Sequence, residues 1–235
     1  MNLRGLARTL RNSLRRRVTP ARWRSLDHVT PVSTVFGLDR GQAIDRYYIE
    51  QFLSAHREHV RGRVLEVGDD RYTRQFGSDV QQVDVLHATT GNPAATIVGD
   101  MSNANTLPAE QFDCVICVHT LQYVFDFAAA LTNLHRSLRT GGVLLLAVPC
   151  TSQLSRRDAD AWGEYWRFTS ASVARLLATA FRGADSVTVS AYGNVTSCAG
   201  FLAGFAAEDL ERAQLDVRQA DYELVILAMA RRLPA

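Results

Sequence analysis

Lysine is absent from all 235 residues, so each of the 26 basic side chains is an arginine. We read that absence as the mark of a GC-rich, bacterial genome rather than as a physical requirement. Proline is scarce, at 6 residues, and 47% of the chain is hydrophobic against 21% charged, which excludes a disordered or collagen-like chain. The length suits one large domain or two small ones with a real core. No apolar run approaches the ~20 residues of a membrane-spanning helix. The longest, Val143 to Val148, is the size of a strand. Met1 to Pro20 lacks the apolar stretch of a secretory signal, and residence in the cytoplasm is the expectation.

Cysteine is also sparse. Of the four, Cys114 and Cys117 have a C-x-x-C spacing, but inside a run that reads as a buried strand. Positions three apart on a strand face opposite sides, so the pair cannot share a metal. His28, His56, His59, His87 and His135 show no ligand spacing, and no metal is expected.

The net charge of +2 conceals an asymmetry. Eight arginines precede residue 25 and the first acid is Asp27, which leaves 18 basic against 24 acidic residues, a net of −6, in the remainder. A body of that sign is not a nucleic-acid binder. Leu3, Leu6, Leu10 and Leu14 recur at helical spacing among the arginines, so residues 1–24 read as a basic amphipathic segment. A membrane surface, a protein partner, a frayed tail and an organellar transit peptide are all compatible with it.

Beyond it, Gln42 to His59 reads as a helix, with Tyr47 and Tyr48 as candidates for a lid. Apolar strands are predicted over 63–67, 82–86, 96–98, 114–118, 143–148, 186–190 and 222–230. Helices are predicted over about 126–139, stopped by Thr140-Gly141-Gly142 as a C-cap, over 170–180 with Ser170 as cap, and near 199–213. The short connection from Leu86 to Thr96, with Gly91 and Pro93, reads as an irregular loop. Alternating strands and helices imply a doubly wound α/β domain with a mostly parallel sheet. The expected boundaries are an extension over 1–25, a helical cap over 26–60 and one domain over 61–235.

Ligands of such sheets bind at the carboxyl ends of the strands. The first strand ends in Glu66-Val67-Gly68-Asp69-Asp70, Asp84 lies near the end of the second, and Gly99-Asp100-Met101 ends the third. An acid at the second position is placed to hold a ribose diol. An acid beside Met101 is placed for an amine and a base.

Arg63-Val64-Leu65-Glu66-Val67-Gly68, then Asp84, then Gly99-Asp100-Met101 resemble the cofactor motifs of class I S-adenosylmethionine-dependent methyltransferases. Phe112 to Cys117 with Leu121-Gln122-Tyr123-Val124, and Leu138 to Leu144, are similar to later signatures of that family. The resemblance implies a Rossmann-like methyltransferase fold of seven strands with an antiparallel last strand, and S-adenosylmethionine as cofactor. It implies cofactor contacts from Glu66, Gly68, Asp69, Asp70 and Asp84, and from Asp100, Met101 and Val118. The family's first loop carries two further glycines where this chain has Asp70 and Tyr72, so either the loop is reshaped or cofactor binding is weakened.

His119, directly after the fourth strand, is the expected general base for an alcohol acceptor. Tyr123, Tyr165, Trp166 and Arg167 are the expected substrate contacts, aromatic faces for a ring and a guanidinium for an anion. Tyr165-Trp166-Arg167-Phe168-Thr169 resembles bacterial methyltransferases associated with sugar and polysaccharide assembly. The expected reaction is therefore O-methylation of a small sugar or glycosylated metabolite. Alternatives are N- or C-methylation of another metabolite, and a non-catalytic partner-binding protein.

Overall fold

The computed structural model describes residues 11–12, 14, 29–181 and 187–234. The basic segment of residues 1–24 lies outside the described residues but for 11, 12 and 14. In chain order the elements are α1 (Ile44–Ala55), β1 (Gly62–Val67), α2 (Arg71–Phe76), β2 (Val80–His87), β3 (Ile97–Val98), β4 (Phe112–Val118), α3 (Phe127–Ser137) and β5 (Leu138–Pro149). They continue with α4 (Arg156–Trp162), α5 (Ser170–Ala180), β6 (Val187–Tyr192), α6 (Val195–Leu202), α7 (Arg212–Asp216) and β7 (Val225–Arg231).

Two compact units result. One takes the chain up to Glu50 with Thr151–Ser155 and Tyr192–Val225; the other takes Gln51–Cys150, Arg156–Ala191 and Ile226 onward. In the first unit the buried Arg40 guanidinium donates to Asp209 through Nε at 2.9 Å and Nη2 at 3.0 Å. There Tyr48 is buried and its hydroxyl donates to the Leu215 carbonyl, while the Tyr47 hydroxyl bonds Asp216. Both phenols are thus engaged within their own unit, and the lid reading of Tyr47 and Tyr48 gives way to a packing one.

The second unit is built on the sheet, of order β3-β2-β1-β4-β5-β7-β6. The pairs β2–β3, β1–β2, β1–β4 and β4–β5 are parallel. Against β5 the last strand runs the other way, with the Gly141 amide donating to the Arg232 carbonyl and the Arg232 amide donating to the Gly142 carbonyl. The expected fold class is the observed one. Leu65, Phe112, Val115, Leu144, Leu146 and Ile226 are almost wholly excluded from water, and full burial of such side chains is worth about 1.5–3 kcal/mol each. Cys117 belongs to the same interior and Cys114 is buried too; burial pushes the Cys117 thiol up to about 12 and raises that of Cys114 as well.

Of the boundaries that differ from the sequence reading, three have a plain physical reason. Thr140-Gly141-Gly142 does not cap α3, which ends at Ser137; it lies inside β5. The register steps from Phe112↔Leu138 to Cys114↔Val143, a bulge, with Gly141 at φ +83° and an added Cβ on Gly142 only 2.9 Å from the Phe112 carbonyl oxygen. Thr169, not Ser170, caps α5, in a reciprocal box with Ser172. The helix expected near 199–213 is two short ones, α6 and α7, parted where Gly204 turns at φ +81°.

Candidate active site

At the carboxyl end of β1, Glu66 is almost fully buried and its carboxylate accepts from Tyr72 N at 3.0 Å, Thr73 N at 2.8 Å and Thr73 Oγ1 at 2.7 Å. Burial raises its pKa, and the bonds from Thr73 and Tyr72 pull the other way. Glu66 therefore fastens the first turn of α2 onto the strand. The loop is reshaped as a consequence: α2 starts at Arg71, and the Tyr72 ring is buried beside Phe76. Asp70 pairs with Arg74 at 2.7 Å, and Asp69 accepts from the Arg71 amide. Gly68 stands at φ +91°, and an added Cβ there would meet nothing within 4 Å.

At β2 the sequence reading is corrected. Asp84 pairs with Leu65, three residues short of the strand's end, and is 5% exposed. Its carboxylate is engaged by Arg63 Nε at 2.7 Å, Thr96 Oγ1 at 2.9 Å and Gln82 Nε2 at 3.1 Å. Three donors thus hold the Asp84 carboxylate inside the sheet. The residue that ends β2 is His87. Beyond it Gly91, at φ +106°, also faces open space, and the Asn92 amide donates to the Gly68 carbonyl at 2.7 Å, joining the two loops.

After β3, Asp100 is exposed and its Oδ1 accepts from the Ser102 amide in a tight turn. Met101 is buried, its side chain in the core cluster with Leu107, Leu121 and Leu131.

At the end of β4, Val118 is half-buried and His119 adopts the left-handed region, φ +49°, with its amide held by the Ala147 carbonyl. A non-glycine residue in that region costs about 1–2 kcal/mol and points to a constraint worth explaining. The turn Leu121–Tyr123 follows, and its Gln122 carbonyl receives Tyr165 N at 2.8 Å and Trp166 N at 3.3 Å. Trp166 Nε1 donates to the Val124 carbonyl, and its ring lies edge-to-face on Phe127. The Tyr165 ring, half-exposed, meets the exposed Phe125 edge-on at 5.3 Å. Arg167 pairs at 2.7 Å with Glu164, whose side chain is 3% exposed, which ties it inward. At the other end of this segment, Trp162 meets His87 edge-on, with centroids 5.6 Å apart.

The structure thus brings Gly68, His119, Tyr123, Tyr165 and Trp166 to the carboxyl edge. Asp84 and Met101 are withdrawn into structure. His87, Asn92 and Glu164 were missed by sequence reasoning. The signal for His87 was the strand's length: one residue more at the carboxyl end of the predicted β2 would have named it.

A twisted α/β sheet with an open carboxyl edge and a glycine-lined approach defines a Rossmann-like nucleoside-cofactor fold. The methyltransferase domain family matches residues 41–184, more than half of the chain, and the chain belongs to it. Among curated proteins, none matches the chain significantly. The fold is shared with S-adenosylmethionine-dependent methyltransferases from Mesorhizobium loti (16% identity, 81% of this chain and 98% of that one, TM-score 0.50) and Archaeoglobus fulgidus (12%, 79% and 94%, 0.50). It is shared too with one from Thermotoga maritima (15%, 80% and 91%, TM-score 0.51). The chain is a class I methyltransferase, and S-adenosylmethionine is the cofactor of that class. The residues present fit such a group: neither Gly68 nor Gly91 obstructs the approach, and the loops that carry them are hydrogen-bonded together.

Proposed function

We propose that this methyltransferase acts on a hydroxyl of a small sugar or glycosylated metabolite, with His119 as general base. The observation that carries the reading is His119 itself, an imidazole held in the left-handed region at the end of β4 beside the aromatic segment. When bound, S-adenosylmethionine supplies an electrophilic methyl group on a sulfonium. Gly68, Asp69, Asp70, Asp100 and Val118 lie on the edge where it would be held. His119 takes the acceptor's hydroxyl proton as the new bond forms, a contribution of about 10²–10⁴-fold. Tyr165 and Phe125 offer exposed ring faces and edges against which a sugar or another ring can settle, and orientation of this kind supplies several kcal/mol.

No helix of the described residues is long and apolar enough to cross a membrane. The arginines of residues 1–24 suit a peripheral contact with an anionic lipid surface, which would bring the enzyme to a lipid-carried acceptor.

The test is release of S-adenosylhomocysteine from the full chain over a panel of glycosides, hydroxylated aromatics and amines. Turnover confined to glycosides, with the methyl group on oxygen in the product spectrum, supports the reading. Turnover confined to amines transfers the assignment to N-methylation, and no turnover on any class with cofactor bound favours a partner-binding role.

A further inference from the structure

We propose that His87, not an acid, receives the cofactor's ribose, over a backbone cradle formed by Gly68 and Gly91 and under the indole of Trp162. The proposal rests on the methyltransferase reading and assigns one subsite of it.

The position comes from the sheet. His87 ends β2, pairs with Val98 of β3, and follows Leu86, whose carbonyl accepts from the Gly68 amide at 2.9 Å. The carboxyl ends of β1 and β2 therefore meet at Gly68 and His87. In nucleoside-binding α/β folds a hydrogen-bond acceptor at this second strand end takes the ribose hydroxyls, and it is ordinarily a carboxylate. Here the nearest acid on β2 is Asp84, already met by Arg63, Gln82 and Thr96 inside the sheet.

The chemistry comes from the tautomer. His87 Nδ1 lies 2.8 Å from the Thr89 carbonyl oxygen, which can only accept, so Nδ1 carries the proton. The Thr89 amide nitrogen also lies near Nδ1, at 3.4 Å, but the shorter carbonyl contact decides between them. In a neutral ring with its proton on Nδ1, Nε2 is the lone-pair acceptor, suited to an alcohol O–H.

Space and cover come from the loops. Gly68 and Gly91 both hold backbone angles that side chains avoid, both leave open space where a Cβ would stand, and Asn92 ties one loop to the other. Trp162, at the end of α4, comes from beyond β5 to lie edge-on against His87 with an interplanar angle of 82°. Trp162 is 37% exposed, so its indole is not wholly used in packing.

The experiment is calorimetric titration of the full chain with S-adenosylhomocysteine and with its 2′,3′-dideoxy analogue. For wild type, loss of the ribose hydroxyls should weaken binding by about tenfold, the worth of one good hydrogen bond. In His87→Ala and His87→Phe the two ligands should bind alike, and His87→Asp, which restores an acceptor, should again prefer the hydroxylated ligand. Emission from wild type should change on ligand addition, and Trp162→Phe should remove most of that change. If both His87→Ala and His87→Phe keep the wild-type preference for the ribose, or weaken the two ligands equally, the proposal is overturned. If wild type itself binds neither ligand at millimolar concentration, the cofactor reading falls with it, a result distinct from the first.

Discussion

Arg63 Nε and Asp84 Oδ2 lie 2.7 Å apart, an ion pair between neighbouring strands β1 and β2 whose acid is nearly excluded from water. Arg63 also donates through Nη1 to Gln111 at 2.8 Å, so the pair anchors a polar network rather than a ligand. Asp84→Ala leaves the guanidinium and the Thr96 hydroxyl without their acceptor, at a cost of about 2–4 kcal/mol in unfolding free energy. Affinity for S-adenosylhomocysteine should stay within about threefold of wild type. Denaturant unfolding and calorimetry check the two halves, and a large affinity loss at unchanged stability would return Asp84 to the ribose.

His119 gives a prediction in which stability and rate separate. His119→Gly and His119→Ala both remove the imidazole, so turnover should fall by about 10²-fold or more in each, with cofactor affinity little changed. Only glycine accepts φ +49° at no cost, so the glycine variant should be more stable than the alanine variant by about 1 kcal/mol. Equal turnover in wild type and both variants at saturating acceptor would make the histidine a structural residue.

Glu66 sets a pH dependence. Burial holds its pKa in the folded chain above the ordinary carboxyl value. A group raised in this way contributes fully to stability below its unfolded pKa of about 4.3, and the contribution is lost as pH rises through the folded value. Glu66→Gln lacks the titration. The stability of wild type relative to this variant should therefore decrease from about pH 4 to pH 7, read by chemical unfolding at each pH. A relative stability that grows over that range would contradict the assignment.

For residues 1–24, the full chain should sediment with phosphatidylglycerol vesicles at low salt and be released by ~0.5 M salt, since each arginine near an anionic surface is worth about 1 kcal/mol and is screened. A chain lacking these residues should stay in the supernatant. Equal behaviour of both removes the lipid contact.

The fold was legible where burial speaks through composition. The runs Cys114 to Val118 and Val143 to Val148 are apolar because β4 and β5 are covered on both faces, and their strand character needs no tertiary knowledge. The site was legible only in part, because its features are set at strand ends. His87 is polar and half-buried, so the apolar pattern stopped one residue before it and the acid at Asp84 took its place in the reading. The six residues of α2 were invisible for a different reason: Glu66, from another element, supplies the acceptors for its first turn. Likewise the glycine pair at 141–142 matched a helix stop locally, and only the partner strands reveal the bulge that it serves.

On the proposed function, a nucleoside cofactor lies across the ends of β1 and β2 with His119 at the rim. A crystal structure of the full chain soaked with S-adenosylhomocysteine tests it most directly. The expected result is the ribose over Gly68 and Gly91, with a hydroxyl within hydrogen-bond distance of His87 Nε2 and Trp162 against the nucleoside. A ligand bound with its ribose on Asp84, or away from this edge altogether, would contradict it.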